Sequence, residues 1–229
     1  MSSMRSWGAV ALLFGVLLLV SGSTLAATPV ASPVAAALEP VLPDYQQAFG
    51  KAATSVPRYA LDLALDEAQS TIGGTMVVTF PNETGMTIDA LPFRLYANAG
   101  YYGEGETSID GLTVDGDAVA PRFDDSGTVL FVDLPTPLAP GETITISIDF
   151  TTVVPRNADG SFGILNHDVA GGKFVLADWY PIVAGWDETG WRLEPPTEQG
   201  DPTFSTASLY DVRLSVPDGF EVIATGEES

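Results

Sequence analysis

The chain has 229 residues, with 30 acidic side chains against 9 basic ones, a formal net charge of −21, 45% hydrophobic residues and no cysteine. That length suits one all-β domain of ordinary size, or two small ones, and the hydrophobic fraction excludes the disordered class of chains. The few cations, Arg58, Arg94, Arg122, Arg156, Lys173, Arg192 and Arg213 among them, are scattered, so nucleic acid and anionic lipid are disfavoured as partners; without cysteine there is no disulfide framework, thiolate metal site or lipid attachment.

At the N-terminus Arg5 precedes an uninterrupted apolar run from Trp7 to Val20, followed by Ser21, Gly22, Ser23, Thr24, Leu25, Ala26 and Ala27. This is the pattern of an export signal over residues 1–26, with Thr24 and Ala26 at the small-residue positions that a signal peptidase reads. The apolar run is shorter than the roughly 20 residues of a spanning helix. An uncleaved membrane anchor is the competing reading, because no charge falls between Arg5 and Glu39. Residues 27–57 read as an Ala/Pro-rich linker, Ala27 to Pro43, followed by a short helix over Asp44 to Ala53 that Gly50 and Pro57 limit.

From Arg58 the dominant signal is alternation with period two, which places every second side chain on one face of a sheet. Tyr59, Leu61, Leu63 and Leu65 are expected inside, with Asp62 and Asp66 outside. Leu91, Phe93 and Leu95 repeat the pattern against Arg94, and Leu130, Val132 and Leu134 repeat it against Asp133. Ile144, Ile146, Ile148 and Phe150 alternate with Thr143, Thr145, Ser147 and Asp149, the signature of a half-buried antiparallel strand. Between the runs, Asp115-Gly116, Ser126-Gly127, Pro140-Gly141, Gly171-Gly172 and Pro217-Asp218-Gly219 supply turn residues. Short strands with one apolar face each bury those faces against a second sheet, so an all-β antiparallel sandwich is expected over residues 58–229.

Candidate chemistry is sparse. A helical H-E-x-x-H zinc site needs two imidazoles, and the chain has one histidine. His167, between Asn166 and Asp168 beside glycines, reads as a loop residue, and as a triad base it would need a serine that no nucleophile elbow marks. Asn157, Asp159 and Gly160 echo part of a calcium loop, but Pro155 stands where the leading Asp belongs and no closing Glu follows. Asp115-Gly116-Asp117 and Asp124-Asp125 read as turns, and Asn82-Glu83-Thr84 fits a glycosylation acceptor. Trp179, Tyr180, Trp186 and Trp191 break the alternation and suit core or interdomain packing, or stacking on sugars. No catalytic, cofactor-binding or metal residue is assigned.

Several segments, in order, resemble the N-terminal domain of aminopeptidase N-type zinc peptidases. Arg58-Tyr59 leading through Leu61-Asp62-Leu63 to Asp66-Glu67-Ala68 is similar to that domain's first strand. Phe93-Arg94-Leu95-Tyr96 with Asn98-Ala99, Val114-Asp115-Gly116, Leu138-Ala139-Pro140-Gly141 and Ile148-Asp149-Phe150 follow. Trp179-Tyr180-Pro181, Gly190-Trp191, Gly200-Asp201-Pro202, Tyr210-Asp211-Val212 and Ala224-Thr225-Gly226 continue the series. The resemblance implies a saddle-like sandwich truncated at its C-terminal end, before a thermolysin-like catalytic domain that carries G-x-M-E-N, H-E-x-x-H and a further Glu ligand. No cofactor is implied for this chain, and zinc is expected in that missing domain. The implied partners are the catalytic domain of the same parent chain and, through it, peptide substrates whose amino ends the cleft holds; a membrane enters only if the signal segment stays uncleaved. Glu198 and Gln199 fall near the region that approaches the cleft, without a match close enough to assign either. A stand-alone secreted sandwich binding carbohydrate or a cell-surface ligand is the alternative function.

Overall fold

The computed structural model describes residues 3–9, 17–21, 55–100, 104–158, 165–195 and 203–228. The spacer over 27–43 and the short helix expected over 44–53 lie outside the described residues. Of the expected export signal, Ser3–Ala9 and Leu17–Ser21 are described, both as strands.

Alternation builds the sheets as the sequence implies. Arg58–Asp66 buries every second residue, Tyr59 through Leu65, and Thr143–Val153 buries Ile144, Ile146, Ile148, Phe150 and Thr152. A large sheet runs edge to edge through β18 (Glu227–Glu228), β1 (Ser3–Ala9), β16 (Leu209–Val216), β3 (Arg58–Asp66), β4 (Thr71–Pro81), β10 (Thr143–Val153), β6 (Glu106–Val114) and β7 (Asp117–Ala118). A second sheet runs β11 (Leu165–Asp168), β12 (Lys173–Leu176), β2 (Leu17–Ser21), β17 (Phe220–Ile223); a third runs β13 (Ile182–Val183), β5 (Ile88–Arg94), β9 (Val129–Leu138), β8 (Arg122–Phe123). β14 (Trp186–Asp187) and β15 (Gly190–Trp191) form a separate hairpin. Among the described residues the only helical element is a 3-10 turn, Tyr96–Asn98, and no helix is long and apolar enough to cross a membrane.

Among the described strands, pairing is antiparallel except that β16 runs parallel to β3, from Leu209 opposite Arg58 to Ser215 opposite Ala64; the isolated bridge between Arg156 and His167 is also parallel. The apolar faces of the sheets meet in one core containing Met76, Val78, Leu91, Phe93, Leu130, Val132, Ile146, Ile148, Phe150 and Phe174. Each aliphatic side chain fully withdrawn from water there contributes about 1.5–3 kcal/mol before entropy is counted. The turns follow their residue chemistry. Asp115 and Gly116 both take positive φ between β6 and β7, the two-residue hairpin geometry, and Gly141, Gly172 and Gly219 take it in later turns. Arg94 departs from the expected pattern: the strand end around it is covered on both faces, and its side chain is buried with those of Phe93 and Leu95.

Candidate functional site

His167 is a strand residue and not the loop residue expected. It lies in β11, is 3% exposed, and stacks on the Phe174 ring of the neighbouring strand at 3.9 Å between centroids. Its Nδ1 sits 2.9 Å from Oγ of Ser70, a residue 97 positions earlier in the tight β3–β4 turn, held at φ 59°. The Ser70 hydroxyl donates to the Val154 carbonyl at 2.8 Å. With its one proton spent there, Oγ accepts from Nδ1–H, so the ring holds no base aimed at the serine, and among the described residues no carboxylate is bonded to the ring. This is a buried structural pair, not a nucleophile and its base. Burial, then the nearby Arg156 cation, hold the imidazole below the ordinary histidine range, against opposing pulls from Glu67 and Asp168.

Alternation hid a second arrangement, around Arg94. Its Nη1 donates to the Glu194 carbonyl at 2.8 Å and reaches the Arg192 carbonyl at 3.4 Å, while its guanidinium lies 5.2 Å from the Tyr96 ring centroid. Nε of Arg94 is buried with no hydrogen-bond partner among the described residues. Two residues on, the Tyr96 hydroxyl accepts from the Phe204 N–H at 3.1 Å. Segment 192–195 and residue Phe204, which bracket Glu198 and Gln199, are thus both fastened to the end of β5 and the turn that follows it. Glu198 and Gln199 themselves lie outside the described residues. Arg192 adds a local brace: its N–H donates to Gly185 and its guanidinium pairs with Asp187 at 2.6 Å and Glu194 at 3.0 Å. Phe204 lies against Gly185, where a Cβ would stand 2.0 Å from the ring.

The aromatic cluster divides in two. Trp179 is buried against Phe150, and its carbonyl accepts from the Thr152 hydroxyl at 2.7 Å. Tyr180 stands edge-on to both Tyr59 and Tyr210. Burial raises the phenols of Tyr59 and Tyr180 well above their ordinary value, so they remain neutral donors and acceptors in the core. Trp186 and Trp191 are half-buried across the β14–β15 hairpin and meet edge to face, 5.0 Å apart at 74°. Rings at that angle do not form one flat stacking surface.

The remaining motifs are structural where they are described. Asn82 is 1% exposed and its amide donates to the Met86 and Leu138 carbonyls at 2.8 and 2.9 Å, so the nitrogen a glycan would need is already committed. Asn157 caps the N–H of Val169, while Asp159 and Gly160 lie outside the described residues. Asp115 accepts from Thr145, and Asp124 accepts from Val129 and Ser126; although partial burial opposes it, this bonding holds the Asp124 carboxyl below the usual range. Among the described residues, no three His, Cys, Asp or Glu side chains are grouped to hold a metal. Among the described residues the donors do not fit a zinc centre, since the one imidazole is bonded at Nδ1 and stacked on Phe174.

No family model matches the sequence, and no curated protein matches it. Among solved structures, the chain is similar to an M1 zinc metallopeptidase from Deinococcus radiodurans bound to a Tyr-Ser-Ala substrate, at 16% identity and a TM-score of 0.41, covering 74% of this chain and 38% of that one. It is also similar to yeast LTA4 hydrolase in complex with bestatin, at 16% identity and a TM-score of 0.30, covering 42% of this chain and 14% of that one. The chain thus spans well under half the length of these structures, and likenesses at these scores establish no family.

Proposed function

We propose that this chain is the non-catalytic N-terminal sandwich domain of a secreted zinc aminopeptidase, packing beside a thermolysin-like catalytic domain and helping to wall the cleft for peptide amino ends. The observation that carries this reading is the double fastening of the stretch bracketed by residues 192–195 and Phe204. Arg94 holds the backbone before it and Tyr96 the backbone after it. Both anchors belong to the Phe93-Arg94-Leu95-Tyr96 segment that resembles the peptidase domain, and the stretch they bracket contains Glu198 and Gln199. Backbone held by rigid β-structure on either side of a segment suits a scaffold that positions polar groups toward a ligand, and carboxylates or amide oxygens suit a substrate ammonium group.

In this reading, metal and water activation belong to another domain, and this chain contributes shape and positioning. The coding sequence downstream of residue 229 tests it. An in-frame H-E-x-x-H preceded by G-x-M-E-N within the following few hundred bases supports the proposal; a stop codon directly after Ser229 in the intact gene contradicts it.

A further inference from the structure

We propose that His167 is an acid-sensitive latch, joining the β3–β4 turn to residues 154–158, where the chain leaves β10, and to β11. Three segments distant in sequence converge on the ring. The Ser70 hydroxyl bonds both Nδ1 and the Val154 carbonyl, and the Val154 N–H returns a bond to the Ser70 carbonyl at 2.8 Å. The His167 N–H donates to the Pro155 carbonyl at 2.7 Å and its carbonyl accepts from Asn157 at 2.9 Å. Arg156 crosses to the Ala68 carbonyl at 2.5 Å, closing the ring of contacts. Ser70 keeps its positive φ under these constraints, a conformation that a serine adopts only when its surroundings impose it.

The latch is assembled for a neutral imidazole. Nδ1–H is spent on Ser70, so an added proton goes to Nε2 and creates a cation 3% exposed, face to face with Phe174. The charged groups facing the ring are Arg156 from the 154–158 segment, which repels the cation, and Glu67 from the β3–β4 turn and Asp168 from its own strand, which attract it; β12 presents the apolar Phe174 ring, with Lys173 opposite Asp168. Burial and Arg156 outweigh the two carboxylates. The folded-state affinity for the proton is therefore below that of the free side chain. Stability from this site is full above the ordinary histidine value of about 6.5 and is lost as pH falls through the folded value. Because His167 is the chain's one histidine, no other imidazole contributes to a transition in that window.

The test is amide hydrogen exchange by NMR on the full chain from pH 7.5 to 5, corrected for the intrinsic pH dependence of exchange. Opening at the Val154 and Asn157 amides is expected to become more frequent below pH ~6.5, by up to about tenfold per pH unit, the limit for one linked proton. Amides at the centre of the β4–β10 ladder, such as Ile146, serve as controls and stay protected. In His167→Asn, whose side-chain amide can donate to Ser70 but does not titrate, the pH dependence is expected to flatten. An unchanged slope in that variant, or a flat Val154 profile in the wild type, overturns the proposal. If His167→Asn does not fold, the wild-type imidazole resonance decides: a titration midpoint at or above the free-histidine value contradicts the latch, and a depressed midpoint tracking Val154 opening supports it.

Discussion

At the scale of single residues, four side chains show what spacing along the chain can and cannot say. The Asn82-Glu83-Thr84 triplet matches an acceptor sequence, yet Asn82 is buried, with both amide bonds directed at backbone carbonyls. In a glycosylating host the Asn82 peptide is expected to stay unmodified by mass spectrometry. Asn82→Ala takes the side-chain donor from the buried Leu138 carbonyl and is expected to cost about 1–3 kcal/mol in urea unfolding. Alternation places Arg94 toward solvent because its neighbours Phe93 and Leu95 are inward. Its burial arises from segment 192–195 crossing the strand end, a contact 100 positions away that no local pattern records. Ser70 and His167 likewise pair across 97 positions, and no signal in the sequence marks the serine. The turns, by contrast, were legible, because a glycine's freedom at positive φ is a property of the residue itself.

At the scale of elements, period-two patterning located β3, β5, β9 and β10 and their inward faces, because burial of one face leaves a trace at every second position. Partner choice was not legible. The parallel alignment of β16 with β3 joins segments some 150 positions apart, and each strand's pattern is compatible with several neighbours. The centre of the large sheet depends on close backbone approach at β4, where a Cβ on Gly74 would stand 2.2 Å from the Asp62 carbonyl oxygen at φ +150°. Gly74→Ala is therefore expected to lose about 1–3 kcal/mol, visible as a lowered melting temperature.

The N-terminal segment bears on the same sheets. Ser3–Ala9 pairs with β16 along seven residues, and Leu17–Ser21 lies between β12 and β17. Removing residues 1–26 leaves the facing edges unpaired, and open edges recruit other strands. The shortened chain is expected to melt lower than the full chain and to associate with rising concentration in light scattering; a monomer of unchanged melting temperature would show that those pairings contribute nothing.

For the whole molecule, composition and alternation sufficed for an all-β sandwich, since a chain whose strands each carry one apolar face must layer them. The functional reading proposed above draws on an ordered series of short segments, none specific alone. What the fold adds is the placement of the Arg94 and Tyr96 segment at the two ends of the stretch containing Glu198 and Gln199. The single imidazole is held inside the fold by Ser70 and Phe174.

The most direct test of the proposed division of labour is aminoacyl-anilide hydrolysis by the purified 229-residue chain, assayed with and without added zinc. The expected result is no turnover in either condition. Turnover that a chelator abolishes and zinc restores, in a preparation free of contaminating peptidase, would contradict the assignment of this chain as a non-catalytic domain.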